Sequence, residues 1–171
     1  MSRDSIDLDI AAPPAVLDPR FPLARREIIA LMETLLATLG LSAAHLSLTL
    51  VDDAGIAELN ARHLGCQGPT NILSFPEAAP ARPDEPRELR EPRELGALFL
   101  SVETLAREAF LYGQDPCLHL ARLLAHGILH LAGHDHGPEM DALTDMAVDV
   151  AESVHGTGGC GGACCSCDSD W

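Results

Sequence analysis

The chain has 171 residues and a formal charge of −15, and all eleven of its basic residues are arginine. That length suits one domain able to bury roughly two thirds of its unfolded surface. So acidic a composition excludes a generally basic nucleic-acid-binding surface, and any RNA contact has to come from a local arginine-lined cleft.

No apolar run approaches a membrane span and the stretch from Met1 to Asp7 lacks a signal-peptide core, so a cytoplasmic protein without a membrane partner is expected. Residues 5–12 alternate apolar and polar, which predicts a strand with one buried face, and Pro13 and Pro14 stop it. Residues 23–40 carry Ile28, Leu31, Leu35, Leu36 and Leu39 at helical spacing, closed by Gly40. Alternation returns at 45–52, where His45 reads as a surface residue, and Asp52 or Asp53 then caps a short helix through Ala54–Leu64.

Gly68-Pro69 leads into a short strand, Ile72 to Phe75, which Pro76 ends as at a sheet edge. Residues 77–94 contain four prolines and a tandem repeat, Glu85-Pro86-Arg87-Glu88-Leu89 followed by Glu91-Pro92-Arg93-Glu94-Leu95. A mobile surface loop is expected there, with an arginine-bearing flap over RNA as the alternative. Residues 95–102 make an apolar strand suited to the middle of a sheet, and a helix follows from Glu103 to Gly113.

Asp115 and Pro116 open the next helix as cap and first-turn proline, and its apolar positions 118, 120, 123, 124, 128, 129 and 131 cover most of its circumference, so it is predicted to be buried. A final amphipathic helix spans 137–154 with Met140, Leu143, Met146, Ala147 and Val150 inward. Residues 1–155 thus read as a single domain, and 156–171 as a flexible glycine- and cysteine-rich tail. That tail carries Cys160, Cys164, Cys165 and Cys167, and it reads as plain flexible chain or, through Cys160, Cys164 and Cys167, as a holder of a soft metal.

The chemistry concentrates in residues 126–136, His-Gly-Ile-Leu-His-Leu-Ala-Gly-His-Asp-His. His126 and His130 are i, i+4 on a helix, about 6 Å apart along its axis, so their rings leave one face and can share an ion. Gly133 permits the left-handed turn that lets His136 close on the same ion, with His134 as the competing third ligand. Three imidazoles with an open fourth position are the pattern of a catalytic zinc, as on the metal helix of zincins. His119 shares their face, but its axial gap of about 10 Å makes it a cleft or packing residue. Zinc peptidases place a glutamate general base where this chain has Gly127, so the metal is kept and that base is lost.

His-Gly-x-Leu-His-Leu-x-Gly-x-Asp-His resembles the signature of the YbeY family of bacterial zinc-dependent ribosomal RNA maturation factors, and Pro-Thr-Asn-Ile-Leu-Ser-Phe-Pro at 69–76 resembles its second signature. The resemblance covers roughly residues 45–153. It implies an α+β fold, a small mixed sheet packed by helices with the zinc cleft at its rim. It further implies a zinc-dependent single-strand endoribonuclease acting in small-subunit ribosomal RNA maturation and ribosome quality control, with the small subunit and its assembly factors as partners. A non-catalytic assembly factor with a zinc-stabilised cleft is the alternative.

One zinc per chain is expected on His126, His130 and His136. No side chain is assigned as catalytic, a zinc-bound water being the expected nucleophile. Ser74 is expected to line the cleft, and Asp135 to orient a ligand histidine from behind. The family's arginine before the second signature aligns with Leu64, leaving Arg62 two residues earlier as the nearest guanidinium, and an acidic family position is Ala97.

Overall fold

Strict alternation sets the sheet. Along β2 (Ala44–Val51) Ala44, Leu46, Leu48 and Leu50 are buried on one face, with half-buried His45, Ser47 and Thr49 between them on the other, where Val51 is buried as well. The computed structural model describes residues 6–11, 24–77 and 93–159. Around β2 the other elements run β1 (Ile6–Ile10), α1 (Arg25–Thr38), α2 (Asp53–Leu64), β3 (Ile72–Pro76), β4 (Arg93–Ser101), α3 (Val102–Tyr112), α4 (Pro116–Leu131) and α5 (Pro138–Gly159). This is a single α+β domain, as the sequence led one to expect.

The sheet order is β1-β2-β4-β3, with β1, β2 and β4 parallel and β3 antiparallel at the edge. Register places Leu8, Leu48, Leu98 and Ser74 in one row across it. That face carries the main core, with α1, α4 and α5 packed on it through Met32, Leu35, Leu124, Ile128 and Ala147. The adjacent row, Asp7, Ser47, Ala97 and Phe75, belongs to the opposite face. There α2 contributes Ile56 to a smaller cluster with Val51 and Leu73.

The ends of α2 follow from capping chemistry. Asp52 accepts a hydrogen bond from Gly55 N at 2.7 Å, and Gly65 turns left-handed at the other end. Asp53, the next residue, accepts at 2.7 Å from both Ser101 Oγ and Thr104 Oγ1 and pairs with Arg107 at 3.0 Å, which joins α2 to α3. Burial alone would raise the Asp53 pKa, yet these hydrogen bonds and the guanidinium hold it below the ordinary value.

Three expectations need correction. Arg93 and Glu94, placed in the loop by their repeat, begin β4, and the loop's remaining residues 78–92 lie outside the described residues. Met146 is 42% exposed, because the inward stripe of α5 runs through Met140, Thr144, Ala147, Val148 and Ala151. The last helix also extends past residue 154, interrupted at Gly156 with φ 53°.

β4 carries a bulge, the register slipping between His45 and Leu46 so that they pair with Glu94 and Gly96. Gly96 has φ 124°, and a Cβ there would lie 2.1 Å from the Phe75 carbonyl oxygen, so no other residue fits.

Candidate metal centre

The site begins with how α4 starts and stops. Asp115 Oδ1 accepts from the backbone N–H groups of Cys117 and Leu118 at 2.9 and 3.1 Å, and Pro116 occupies the first turn. Ten of the sixteen residues of α4 are buried, as its apolar pattern predicts. At the far end Gly133 takes φ 94°, its N–H donates to His130 O, and His134 N–H reaches back to Leu129 O at 3.0 Å. Those two bonds close a Schellman turn that sends the chain back across the end of the helix.

The turn brings His136 to the pair already on α4. His130 Nε2 lies 3.1 Å from His126 Nε2 and 3.2 Å from His136 Nε2. Candidate ligand atoms of all three fall within 4.8 Å of one another. Nitrogens bound tetrahedrally to one ion at 2.0–2.1 Å stand about 3.3 Å apart, so the spacing fits a single divalent cation.

Protonation agrees with that fit. His130 Nδ1 is 3.1 Å from the backbone oxygen of His134 and donates its N–H there, which leaves Nε2 as a bare lone pair aimed at the other two rings. Burial, then the neighbouring His130 and His136, lower the pKa of His126 from the usual 6.5, with Asp141 acting in the opposite sense. Its neutral, ligating form is therefore favoured. His126 and His130 are half-buried and His136 is exposed, so the cluster is open on one side.

Gly127 fits the helix against the sheet. A Cβ there would meet Ile72 Cδ1 and Leu98 Cδ2 at 2.9 Å each, and Ser74 Oγ donates to the Gly127 carbonyl at 3.3 Å. The position is buried under β3 and β4 and has no room for a glutamate.

The other singled-out residues are dispersed. Asp135 is exposed and makes no hydrogen bond among the described residues, and His134 contributes its carbonyl. Arg62 is exposed and pairs with Glu58 on its own helix. Leu64 is exposed at the end of α2. Ala97 and a half-buried His45 line a cavity of about 530 Å³ with Asp7, Glu77 and Glu94. None of the three clustered histidines borders it, and Ala97 belongs to the sheet face turned away from α4. His119 is buried, with Nε2 at 2.9 Å from Glu108 Oε2. Sequence reasoning passed over Asp141, whose charge is felt at His126 although it lies in the first turn of the next helix. An acidic first turn directly after the motif was the signal available.

Comparison with known proteins gives a consistent picture. Residues 21–156 match the family described as Endoribonuclease YbeY. The chain is 48% identical over 143 residues to an Endoribonuclease YbeY of Oleidesulfovibrio alaskensis, covering 77% of this chain and 85% of that one. It is 47% identical over 142 residues to the Endoribonuclease YbeY of Nitratidesulfovibrio vulgaris, covering 77% and 87%. The solution structure of TM1509 from Thermotoga maritima shares the fold, with a TM-score of 0.58 at 22% identity over 87% of this chain and 90% of that one. The two signatures, the histidine cluster and these relatives place the chain in the YbeY family of endoribonucleases.

Proposed function

We propose that this protein is a metal-dependent endoribonuclease that cleaves single-stranded RNA in the maturation of small-subunit ribosomal RNA and in ribosome quality control. One zinc ion per chain is held by His126, His130 and His136. Convergence of three Nε2 atoms, with the His130 tautomer fixed by the His134 carbonyl, is the observation that carries this reading. Three imidazoles suit zinc, which prefers nitrogen and sulfur ligands at tetrahedral spacing. When bound, the ion supplies Lewis acidity for phosphodiester hydrolysis.

The chain's own residues have three tasks. The histidines hold the ion and leave the cluster open on the side of the exposed His136. β3 forms the wall of the cleft, with Ser74 seated against the Gly127 carbonyl and so positioned to line it. Ser74 is not a nucleophile, since its hydroxyl donates to a carbonyl and no base among the described residues bonds to it. Among the described arginines, Arg25, Arg62, Arg107 and Arg122 are engaged by Leu8 O, Glu58, Asp53 and Asp145. The substrate ribosomal RNA is met in the cytoplasm, on the small subunit and among its assembly factors. Among the described residues no helix is long and apolar enough to cross a membrane.

The test pairs metal analysis with cleavage of a single-stranded RNA. Purified protein should carry one zinc, lose cleavage on chelation, recover it with zinc, and lose both metal and cleavage in His126→Ala. Cleavage that survives complete metal stripping refutes the reading.

A further inference from the structure

Two turns before His126, α4 buries a histidine the metal does not use. His119 is 5% exposed, and its Nδ1 has no hydrogen-bond partner among the described residues. Its Nε2 faces Glu108 Oε2 of α3 at 2.9 Å, so the ring donates there and Nδ1 remains a bare lone pair. A leucine would fill the space without leaving a polar atom unsatisfied. The ring is therefore explained by what it holds.

Glu108 gathers a second donor. Asn71 Nδ2 lies 3.3 and 3.2 Å from its two carboxylate oxygens. Asn71 Oδ1 accepts from Ile72 N–H at 2.7 Å, and Asn71 O accepts from Ser101 N–H at 2.9 Å. Both ends of the amide are used, which fixes the first residue of β3. From there Ile72 runs against Gly127, and Ser74 bonds to the Gly127 carbonyl, next to His126. β3 is thus pinned to α4 at two points, through Asn71, Glu108 and His119 at one end and directly through Ser74 at the other.

We propose that Asn71, Glu108 and His119 form a positioning relay that sets the gap between edge strand β3 and the metal-bearing helix α4, and with it the placement of the RNA strand at the metal. This rests on the hydrolase reading above. The three act through the strand and touch no reacting atom. Catalytic geometry tolerates errors of only about 0.5 Å, and a misplacement of about 1 Å can cost on the order of a hundredfold in rate.

The test uses full-length, zinc-loaded protein and a single-stranded RNA oligonucleotide. His119→Leu is expected to lower kcat about tenfold with KM changed by less than about threefold and one zinc retained, and Asn71→Ala to do the same. The double variant should fall no further than the worse single one, since both act through one carboxylate. His119→Gln, whose amide can still donate to Glu108, should recover most of the loss.

On metal-free protein, hydrogen exchange should quicken across β3 in His119→Leu while β1 and β2 keep their wild-type rates. Wild-type kcat and wild-type β3 exchange in His119→Leu, or kcat losses that multiply in the double variant, overturn the relay. Should His119→Leu not fold, Asn71→Ala with the same exchange measurement decides. If wild-type protein cleaves no RNA, the hydrolase reading has failed by itself, and β3 exchange still tells whether the relay holds the strand.

Discussion

His130 Nδ1 and the carbonyl oxygen of His134 stand 3.1 Å apart, so the turn that ends α4 also dictates which nitrogen of His130 is free to ligate. His130→Ala removes the ligand that lies closest to both others. Zinc affinity should fall by more than about 100-fold, beyond the 10–100-fold typical when only an outer partner is lost. Helix content should stay unchanged, since alanine suits the interior of α4. Competition titration with a chromophoric chelator, alongside circular dichroism, reads both.

Acidification should weaken the metal-free protein through His126. Its folded pKa lies below 6.5 through burial and the neighbouring histidines, so below 6.5 the unfolded chain binds the extra proton first. The stability tied to the neutral ring is full above 6.5 and is lost as pH falls through the folded value. Denaturant unfolding of chelator-treated wild type and His126→Gln from pH 8 to 5 should show a steeper decline in the wild type.

Gly127→Ala and Gly127→Glu should separate sharply. Alanine needs only the tips of Ile72 and Leu98 to move, and the gain in helix propensity of about 1 kcal/mol offsets part of the strain. Glutamate places an unpaired carboxylate under the sheet and should cost roughly 3–5 kcal/mol. Thermal unfolding measures the difference, and a Gly127→Glu protein that folds normally and cleaves peptides would contradict the packing described.

Asp53→Asn tests the joint between α2 and α3. The folded pKa of Asp53 is depressed, so its contribution is present above about 3.8 and lost as pH falls through the folded value. Weakening two charge-assisted hydrogen bonds should cost about 1–2 kcal/mol at pH 7, with little from half-exposed Arg107. The variant should lose less stability than wild type between pH 4.5 and 2.5, as followed by denaturant titration.

Much of this architecture was legible in the residues. Leu46, Leu48 and Leu50 alternate with polar neighbours, and Asp115-Pro116 with Gly133 brackets α4, so period and caps sufficed for β2 and the metal helix. Local spacing also sufficed to bring His126, His130 and His136 to one helix end. Other features depended on contacts between distant segments. β4 begins at Arg93 because pairing with β2 recruits residues that look like loop, and its bulge at Gly96 is dictated by Phe75 across the sheet. Asn71, Glu108 and His119 belong to three elements, and no periodicity links them.

The three clustered histidine rings that could hold a metal lie within eleven consecutive residues, so little chain entropy opposes bringing them together even before the sheet exists. An unfolded molecule therefore retains some chelating capacity, and that residual affinity subtracts from what the ion adds to native stability. Metal loading should protect this protein against heat by less than its native-state dissociation constant alone would suggest.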